Sequence, residues 1–269
     1  MNQADKAQRF RALHEAPAAF VVGNAWDAGS ARLLAGAGFV ALATSSGATA
    51  GVLGRRDGAL SRDEALACAH AVSDACDVPV SGDLENGFGH EPSQVAETIR
   101  LAAASGLVGG SIEDFSGEAL YPMDQALLRI EAAVQAARAL PFHFTLTARC
   151  ENFLRGNPNL DDTIARLQAF ERAGADVLMA PGLPDLDAAR RVCTALKKPF
   201  NFMAGIRGKS FSVAELQAVG VRRISLATSL YRMAMTGVVD AAREVKDKGT
   251  FGYLDRTIAT PDLNAFMQG

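Results

Sequence analysis

One acid pair and two further acidic positions carry the chemistry this chain could perform. Asp83 and Glu85 lie two residues apart in Gly82-Asp83-Leu84-Glu85-Asn86-Gly87-Phe88-Gly89, directly after the small and apolar run Val78-Pro79-Val80-Ser81. On an extended strand, side chains two apart share a face. Two carboxylates on one face repel unless a cation or a proton lies between them. Glu113 ends a second apolar run at Ile112-Glu113-Asp114, and Asp57 follows Arg55-Arg56 in a polar loop. An oxygen-rich set with no His or Cys beside it suits a hard ion, Mg2+ or Mn2+, better than zinc. Asp83, Glu85 and Glu113 therefore form the candidate metal set, with Asp57 expected at the same mouth. Any one of these acids reads more simply as solvent-facing polarity at a strand end; together, after adjacent strands, they argue for a site.

Arg149 ends the run Thr145-Leu146-Thr147-Ala148-Arg149 and would face the same space. Its planar fork can clamp a substrate carboxylate. A salt bridge to Glu113, Asp114 or Glu151 is the competing reading. Ser45, Ser46 and Gly47 form a small-residue turn whose N–H groups could cradle a carboxylate, and Asn201 sits on an apolar segment from which it could touch substrate. The remaining polar candidates read as ordinary structure. Gly205-Ile206-Arg207-Gly208-Lys209-Ser210 ends like a phosphate-binding loop, but its first Gly is too close for GxxxxGK[ST]. His14, His70 and His143 read as surface or packing residues, and His90 as a helix-start residue near the mouth. Cys150 alternates away from Arg149 and reads as a buried thiol. Trp26 and Phe88 either wall a pocket or pack the core.

The elements that must position these residues repeat along the chain. Eight short β-rich segments are expected: 20–24, 39–45, 79–85, 108–114, 142–149, 176–180, 199–204 and 223–228. Helical patterns follow each of them, at 27–37, 61–75, 92–105, 123–139, 160–173, 186–196, 213–219 and 230–248. Strands alternating with helices of this length imply parallel βαβ crossovers. Four helices end alike, at AGAGFV, AASGLV, ERAGADVL and QAVGVRRI, each with a Gly placed to close the helix in a left-handed conformation. Eight such units in 269 residues fit a (β/α)8 TIM-type barrel. A doubly wound sheet is the alternative, and the first βα turn, NAWDAGSARL, has no GxGxxG to support it. No linker splits the chain, so residues 1–269 read as a single domain. Thr260-Pro261-Asp262 offers a helix start, with Thr as N-cap and Pro at N1, in a tail of about 249–269 expected to pack on a partner subunit.

Composition narrows the function classes. With 27 Lys+Arg against 30 Asp+Glu, no basic excess exists to neutralise a nucleic-acid backbone. No apolar run approaches the roughly 18 residues of a membrane span, and the polar N-terminus lacks a signal-peptide core. Four scattered cysteines form no CxxC pair. A cytoplasmic protein is expected, with neither nucleic acid nor membrane as partner.

The motifs together resemble the isocitrate lyase/phosphoenolpyruvate mutase superfamily. The resemblance runs from about Asn24 to about Ser229 and rests on NAWDAGSARLLAGAGF, TSSG with the following LGRRDG, GDLENGFG, the Ile112-Glu113-Asp114 triplet and TARCENF. It implies an α/β barrel whose last helix is exchanged between subunits, usually in tetramers, so a homo-oligomer (dimer or tetramer) is expected. It further implies a Mg2+ or Mn2+ cofactor, held directly by Asp83 and through water by Asp57, Glu85 and Glu113. Arg149 would bind the substrate carboxylate, and Ser45, Ser46 and Gly47 the oxo-acid end.

Two departures refine the expectation. Many members carry Asp where this chain has Glu85. The family's isocitrate and methylisocitrate lyases carry a Lys-Lys-Cys-Gly-His loop after the Glu-Asp pair, whereas no Lys, Cys or His lies between Asp114 and Arg129 here. The same segment lacks the Lys and Asn of the gating loop expected in phosphonopyruvate-processing members. The implied activity is a metal-dependent lyase or decarboxylase of a small 2-oxo or 2-hydroxy acid, working through an enolate, with Asp57, Arg149 and Glu113 as catalytic residues. A P–C bond enzyme and a non-catalytic 2-oxo acid-binding barrel are the alternatives.

Overall fold

A computed structural model describes residues 1–267. Eight parallel strands close into a barrel in sequence order: β1 (Phe20–Ala25), β2 (Leu42–Thr44), β3 (Val80–Asp83), β4 (Gly109–Glu113), β5 (Thr145–Arg149), β6 (Val177–Met179), β7 (Phe200–Met203) and β8 (Arg223–Ser225). The helices are α1 (Gln3–Glu15), α2 (Ala28–Gly36), α3 (Ser46–Val52), α4 (Arg62–Asp74), α5 (Pro92–Ala104), α6 (Met123–Arg138), α7 (Leu160–Ala173), α8 (Leu186–Ala195), α9 (Val213–Ala218), α10 (Ser229–Lys248) and α11 (Thr260–Met267). The fold is the expected (β/α)8 barrel.

The four helix-closing glycines behave as their sequence context requires. Gly38, Gly106, Gly174 and Gly220 have φ of 94°, 95°, 104° and 100°. At Gly38 and the residue after it, N–H groups return to Ala35 O (3.0 Å) and Leu34 O (3.1 Å), satisfying carbonyls that the helix end leaves free. Each chain reversal then delivers its strand immediately. At the helix starts, Asp27, Ser61 and Ser212 cap α2, α4 and α9 through reciprocal capping boxes.

Two apolar layers hold the barrel. One lies between strands and helices and includes Leu42, Val80, Ile112, Leu146, Leu178, Phe202 and Ile224. The other plugs the barrel floor, where Phe10 of α1 packs with Phe20, Val22, Ala41 and Ala43. β2 and β5 start three residues later than the expected 39 and 142, because Phe39 and Phe142 pack as apolar side chains before ladder pairing begins. Two differences matter for the site. Ser46 and Gly47, expected in a turn, instead open the helix 46–52 with Ser45 as its N-cap, a position that Ser favours. Glu85 is not on β3, which ends at Asp83. The tail helix begins at Thr260 itself, one residue before the expected first helical position. Phe266 lies over Gly36 of α2 in the same chain. Gln268 and Gly269, part of the tail expected to reach a partner, lie outside the described residues.

Among the described residues, no helix is long and apolar enough to cross a membrane.

Candidate active site

The ends of β2, β3, β4 and β5 meet at one mouth, as ladder register demands. Asp83 is the Cα partner of Ser111, and Glu113 that of Arg149. Side chains at paired positions of adjacent parallel strands lie on the same face. Arg149 is the hub. Its Nε donates to Glu151 Oε1 at 2.5 Å, its Nη2 lies 3.5 Å from Glu113 Oε2, and its Nη1 lies 3.7 Å from Asp83 Oδ1. Both the clamp and the salt-bridge readings therefore hold in part: the guanidinium faces the mouth and is already shared among three carboxylates. Asp114 is not one of them. It turns outward, pairing with Arg166 at 3.2 Å and accepting from Glu151 N at 2.8 Å. Burial opposes the charge of Arg149, but the surrounding carboxylates outweigh it and hold its pKa raised.

Glu85 reaches the mouth by a different route from the predicted alternation. Its backbone adopts φ 48°, a left-handed conformation uncommon outside glycine. Such geometry persists only where neighbours enforce it. Here Glu113 N donates to Glu85 O at 2.9 Å, Gly87 N to Leu84 O at 2.8 Å, and Thr98 Oγ1 to Gly87 O at 2.7 Å. Arg129, buried under Tyr121, donates to the carbonyls of Asn86, Gly89 and His90 and pins the rest of the turn. Leu84 drops into the core and Glu85 turns to the mouth.

Crowding of acids marks this space electrostatically. Burial, then the charges of Asp83 and Asp57, push Glu85 up to about 7 against the relief given by Arg149. Burial first, with Glu151 and Asp83 adding to it, pushes Glu113 up to about 8 despite Arg149. Asp83 Oδ2 accepts from Ser46 N (3.1 Å) and Ser46 Oγ (2.8 Å), and Ser46 Oγ lies 3.5 Å from Asp57 Oδ1. Ser45 spends its hydroxyl on Ala48 N at 3.4 Å. A Cβ on Gly47 would stand 3.0 Å from Asp57 Cγ, so only glycine lets this turn and the acid close together. All four predicted acids, with Arg149, Ser45, Ser46 and Gly47, are therefore gathered at the mouth. Asn201 lies deeper, fully buried, donating to Ser225 Oγ at 3.0 Å.

Whether these acids suit a metal can be tested on their free oxygens. Asp83 Oδ1 and Glu85 Oε1 are buried and receive no hydrogen bond among the described residues. Buried anionic oxygens without donors are costly, and a cation or a proton would relieve them. Among the described residues no three acid, His or Cys side chains stand at direct-ligand spacing.

Two adjoining cavities share Ser46, Asp57 and Arg149. An outer one of about 880 Å3 is walled by Glu85, Glu113, Phe88, Phe115 and Arg155; an inner one of about 180 Å3 runs past Asp83 to Asn201, Ser225 and Arg223. Phe88 is both wall and packing residue, touching Ala50, Leu60 and Ala65. Trp26 packs edge-on against Tyr231. His90 turns to Tyr121 Oη (2.8 Å) rather than to the acids. Cys150 is fully buried, with its thiol pushed well up by burial. The loop containing Gly205–Ser210 is held by Lys209 Nζ to Gly182 O at 3.3 Å.

Sequence reading passed over a supporting chain of bonds. Asn24 Oδ1 accepts from Leu226 N (2.8 Å), Asn24 Nδ2 donates to Thr44 O (2.9 Å), and Thr44 Oγ1 accepts from Asp83 N (2.9 Å). A polar residue on an otherwise apolar strand was the available signal. Arg223 on β8 was passed over in the same way.

Comparison with known proteins places this site in a family. Residues 10–246 match the family model described as phosphoenolpyruvate phosphomutase. A crystal structure from Burkholderia cenocepacia J2315, described as a lyase/mutase, is 50% identical and superposes with a TM-score of 0.97, covering 99% of this chain and 98% of that one. An oxaloacetate decarboxylase of Pseudomonas fluorescens is 30% identical over 85% of this chain and 80% of its own length. A 2,3-dimethylmalate lyase of Eubacterium barkeri is 27% identical, covering 97% and 93%. With the barrel, the acid-lined mouth and the family match in agreement, the chain belongs to the phosphoenolpyruvate phosphomutase family, within the isocitrate lyase/phosphoenolpyruvate mutase superfamily of carbon–carbon lyases and mutases.

Proposed function

We propose that this protein is a metal-dependent lyase or decarboxylase acting on a small 2-oxo or 2-hydroxy carboxylic acid through an enolate. The observation that carries this reading is the pair of buried, donor-less oxygens Asp83 Oδ1 and Glu85 Oε1 beside Arg149. Asp83 would hold Mg2+ or Mn2+ directly, and Asp57, Glu85 and Glu113 through water. Such an ion supplies Lewis-acid stabilisation of the charge that develops on an oxo group.

The chain's own residues do the rest. Glu151 holds Arg149 by its Nε, and the two remaining guanidinium nitrogens, 3.7 Å from Asp83 and 3.5 Å from Glu113, form the fork that would take a substrate carboxylate when those acids serve a cation. Ser45, Ser46 and Gly47 wall the mouth with small groups, and Asn201 approaches from below. The segment after Asp114 offers no Lys, Cys or His as proton donor, which argues against standard isocitrate or methylisocitrate lyase chemistry. The names of the relatives, a dimethylmalate lyase and an oxaloacetate decarboxylase, support the same substrate class. The family's name favours a P–C bond enzyme as second reading, and the Lys- and Asn-free loop speaks against it.

We also infer that the chain acts as one domain, 1–269, in a cytoplasmic homo-oligomer. Supporting this are four free cysteines and the eighth barrel helix, α10, none of whose residues is buried.

The Asp83→Ala variant tests the assignment with a panel of 2-oxo acids and Mg2+, metal binding being measured by calorimetry. Both affinity and turnover should fall by about 100-fold or more, as for loss of a direct ligand to a catalytic ion. Unchanged values would sink the proposal. Saturable, metal-dependent binding without product in the unaltered protein would favour a non-catalytic barrel.

A further inference from the structure

The inner cavity contains a second arginine that the mouth does not explain. Arg223 opens β8, is 4% exposed, and lines the same cavity as Asp83 and Arg149. Its Nη1 donates to Thr147 Oγ1 at 3.2 Å across the barrel, and its guanidinium stands 5.5 Å from the ring of Phe10 in the floor plug. Its Nε is buried without an acceptor. No ion pair involves it among the described residues, and burial alone, with no acid to offset it, pushes its pKa down to about 10. It is thus the opposite of Arg149, whose charge is shared by three carboxylates.

A charged guanidinium with one hydrogen bond and one distant ring is poorly compensated for leaving water. The groups around it supply polarity but no negative charge. Asn201, its Cα partner on β7, is fully buried in the same cavity, and its Oδ1 also lacks a partner. Exchanging the ends of that amide keeps the Ser225 bond, the hydroxyl then donating, and frees the NH2. Asn201 and Arg223, paired on adjacent strands, then each hold an unpaired donor among the residues that line this cavity.

We propose that Arg223 and Asn201 form an anion subsite on the floor of the inner cavity, taking a carboxylate-sized or smaller anion. Two sources share this chemistry: a free inorganic anion, or the far carboxylate of a substrate bound at the mouth. The cavity of about 180 Å3 corresponds to roughly six waters at ~30 Å3 each, enough for one small acid. The subsite itself rests on this cavity alone; only the second source depends on the reaction proposed above.

Bromide is the probe, because its anomalous scattering locates it. Crystals of the unaltered protein soaked in bromide should show a peak within hydrogen-bond distance of the Arg223 guanidinium. In solution, exchanging gluconate for bromide at constant ionic strength should raise Tm by roughly a few degrees, as binding to the native state requires, and Arg223→Met should abolish the rise. Arg223→Lys, which keeps the charge, serves where the Met variant does not fold, and should keep a reduced rise. A tenfold or greater increase in KM in the variant, with kcat little changed, and competition between bromide and the acid substrate identify the substrate's own carboxylate. Bromide binding with KM unchanged identifies a free anion. A floor with no bromide peak, together with a Tm indifferent to bromide, overturns the subsite even if Asp83→Ala shows the mouth to be catalytic.

Discussion

His14 should make this barrel acid-labile by an amount the structure allows to be worked out. It lies on α1 beneath the barrel, 6% exposed, its ring edge-on to Phe10 (4.7 Å) and Phe20 (4.9 Å). Nδ1 is 2.8 Å from Phe10 O, so Nδ1 carries the proton and Nε2 is a buried acceptor without a partner. Burial first, then the charge of Arg223, lowers its pKa from 6.5 to about 3. Because the folded value lies below the unfolded one, the unfolded chain binds the extra proton between pH 6.5 and 3. Stability is complete above pH 6.5 and falls with pH below it. The loss between pH 7.5 and pH 5 integrates to about 2 kcal/mol. The raised carboxyls of Glu85, Glu113 and Asp114 act in the opposite sense, gaining stability as pH falls toward their unfolded range. A comparison with His14→Leu cancels them. The variant should cost about 1 kcal/mol at pH 7.5 for an imperfect apolar replacement, and its stability should fall by about 2 kcal/mol less on acidification. Urea unfolding of both proteins at pH 7.5, 6 and 5, at one protein concentration, measures this. Parallel losses in the two proteins would refute the buried, neutral His14.

Two other perturbations probe the site and the assembly. Glu151→Gln keeps the shape of a fully buried side chain but removes the charge that orients Arg149; kcat/KM should fall about 10- to 100-fold from misplacement of the fork, with an unaltered circular dichroism spectrum, and wild-type kinetics would count against its role. The face of α10 that exposes Met235 (38%) and Val238 (60%), three residues apart, is apolar enough to be an interface; the double variant Met235→Glu, Val238→Glu should sediment as a monomer where the unaltered chain sediments as a dimer or tetramer.

The barrel was legible because its signals are local. Hydrophobic runs, Gly closures and capping residues each report on a few neighbouring positions, and eight repetitions leave few other folds. The site was legible in residue type and place. Asp57, Asp83, Glu85, Glu113 and Arg149 do converge, since strand ends of one barrel have no other place to go. What could not be read was how each side chain arrives. Period-two alternation predicts Glu85 from strand geometry, whereas a left-handed residue after the strand presents it. That conformation is imposed by Arg129, Thr98 and the β4 backbone, which are remote in sequence. The partners of Arg149 were left open for a similar reason: Glu151 follows it two residues on while Glu113 and Asp114 end the neighbouring strand, and only the register of β4 on β5 and the turn after β5 select among them. Ser46 illustrates the limit from the other side. Its N–H, expected to face a ligand, is taken by Asp83 Oδ2 once 46–52 coils into α3.

The vertical order of the barrel interior explains why such a site is tolerable. At the floor, Phe10, Phe20 and Val22 supply apolar burial and no chemistry. Above them, the polar atoms are mostly paired strand to strand: Leu226 to Asn24, Asn24 to Thr44, Thr44 to Asp83, Asn201 to Ser225. Each bond joins neighbouring strands, so the network that aims Asp83 also ties the ladder. The unpaired atoms of Asp83, Glu85, Asn201 and Arg223 then lie where the two cavities run. Two buried glutamates with raised pKa, Glu85 and Glu113, a left-handed backbone at the first of them and an uncompensated arginine would each destabilise a fold selected for stability alone. The proposed occupants account for their confinement to one connected space: a cation among the acids at the mouth and an anion against Arg223 at the floor. Opposite demands at the two ends of one cavity are also what a bound metal carboxylate supplies, and this couples the proposed reaction to the proposed subsite.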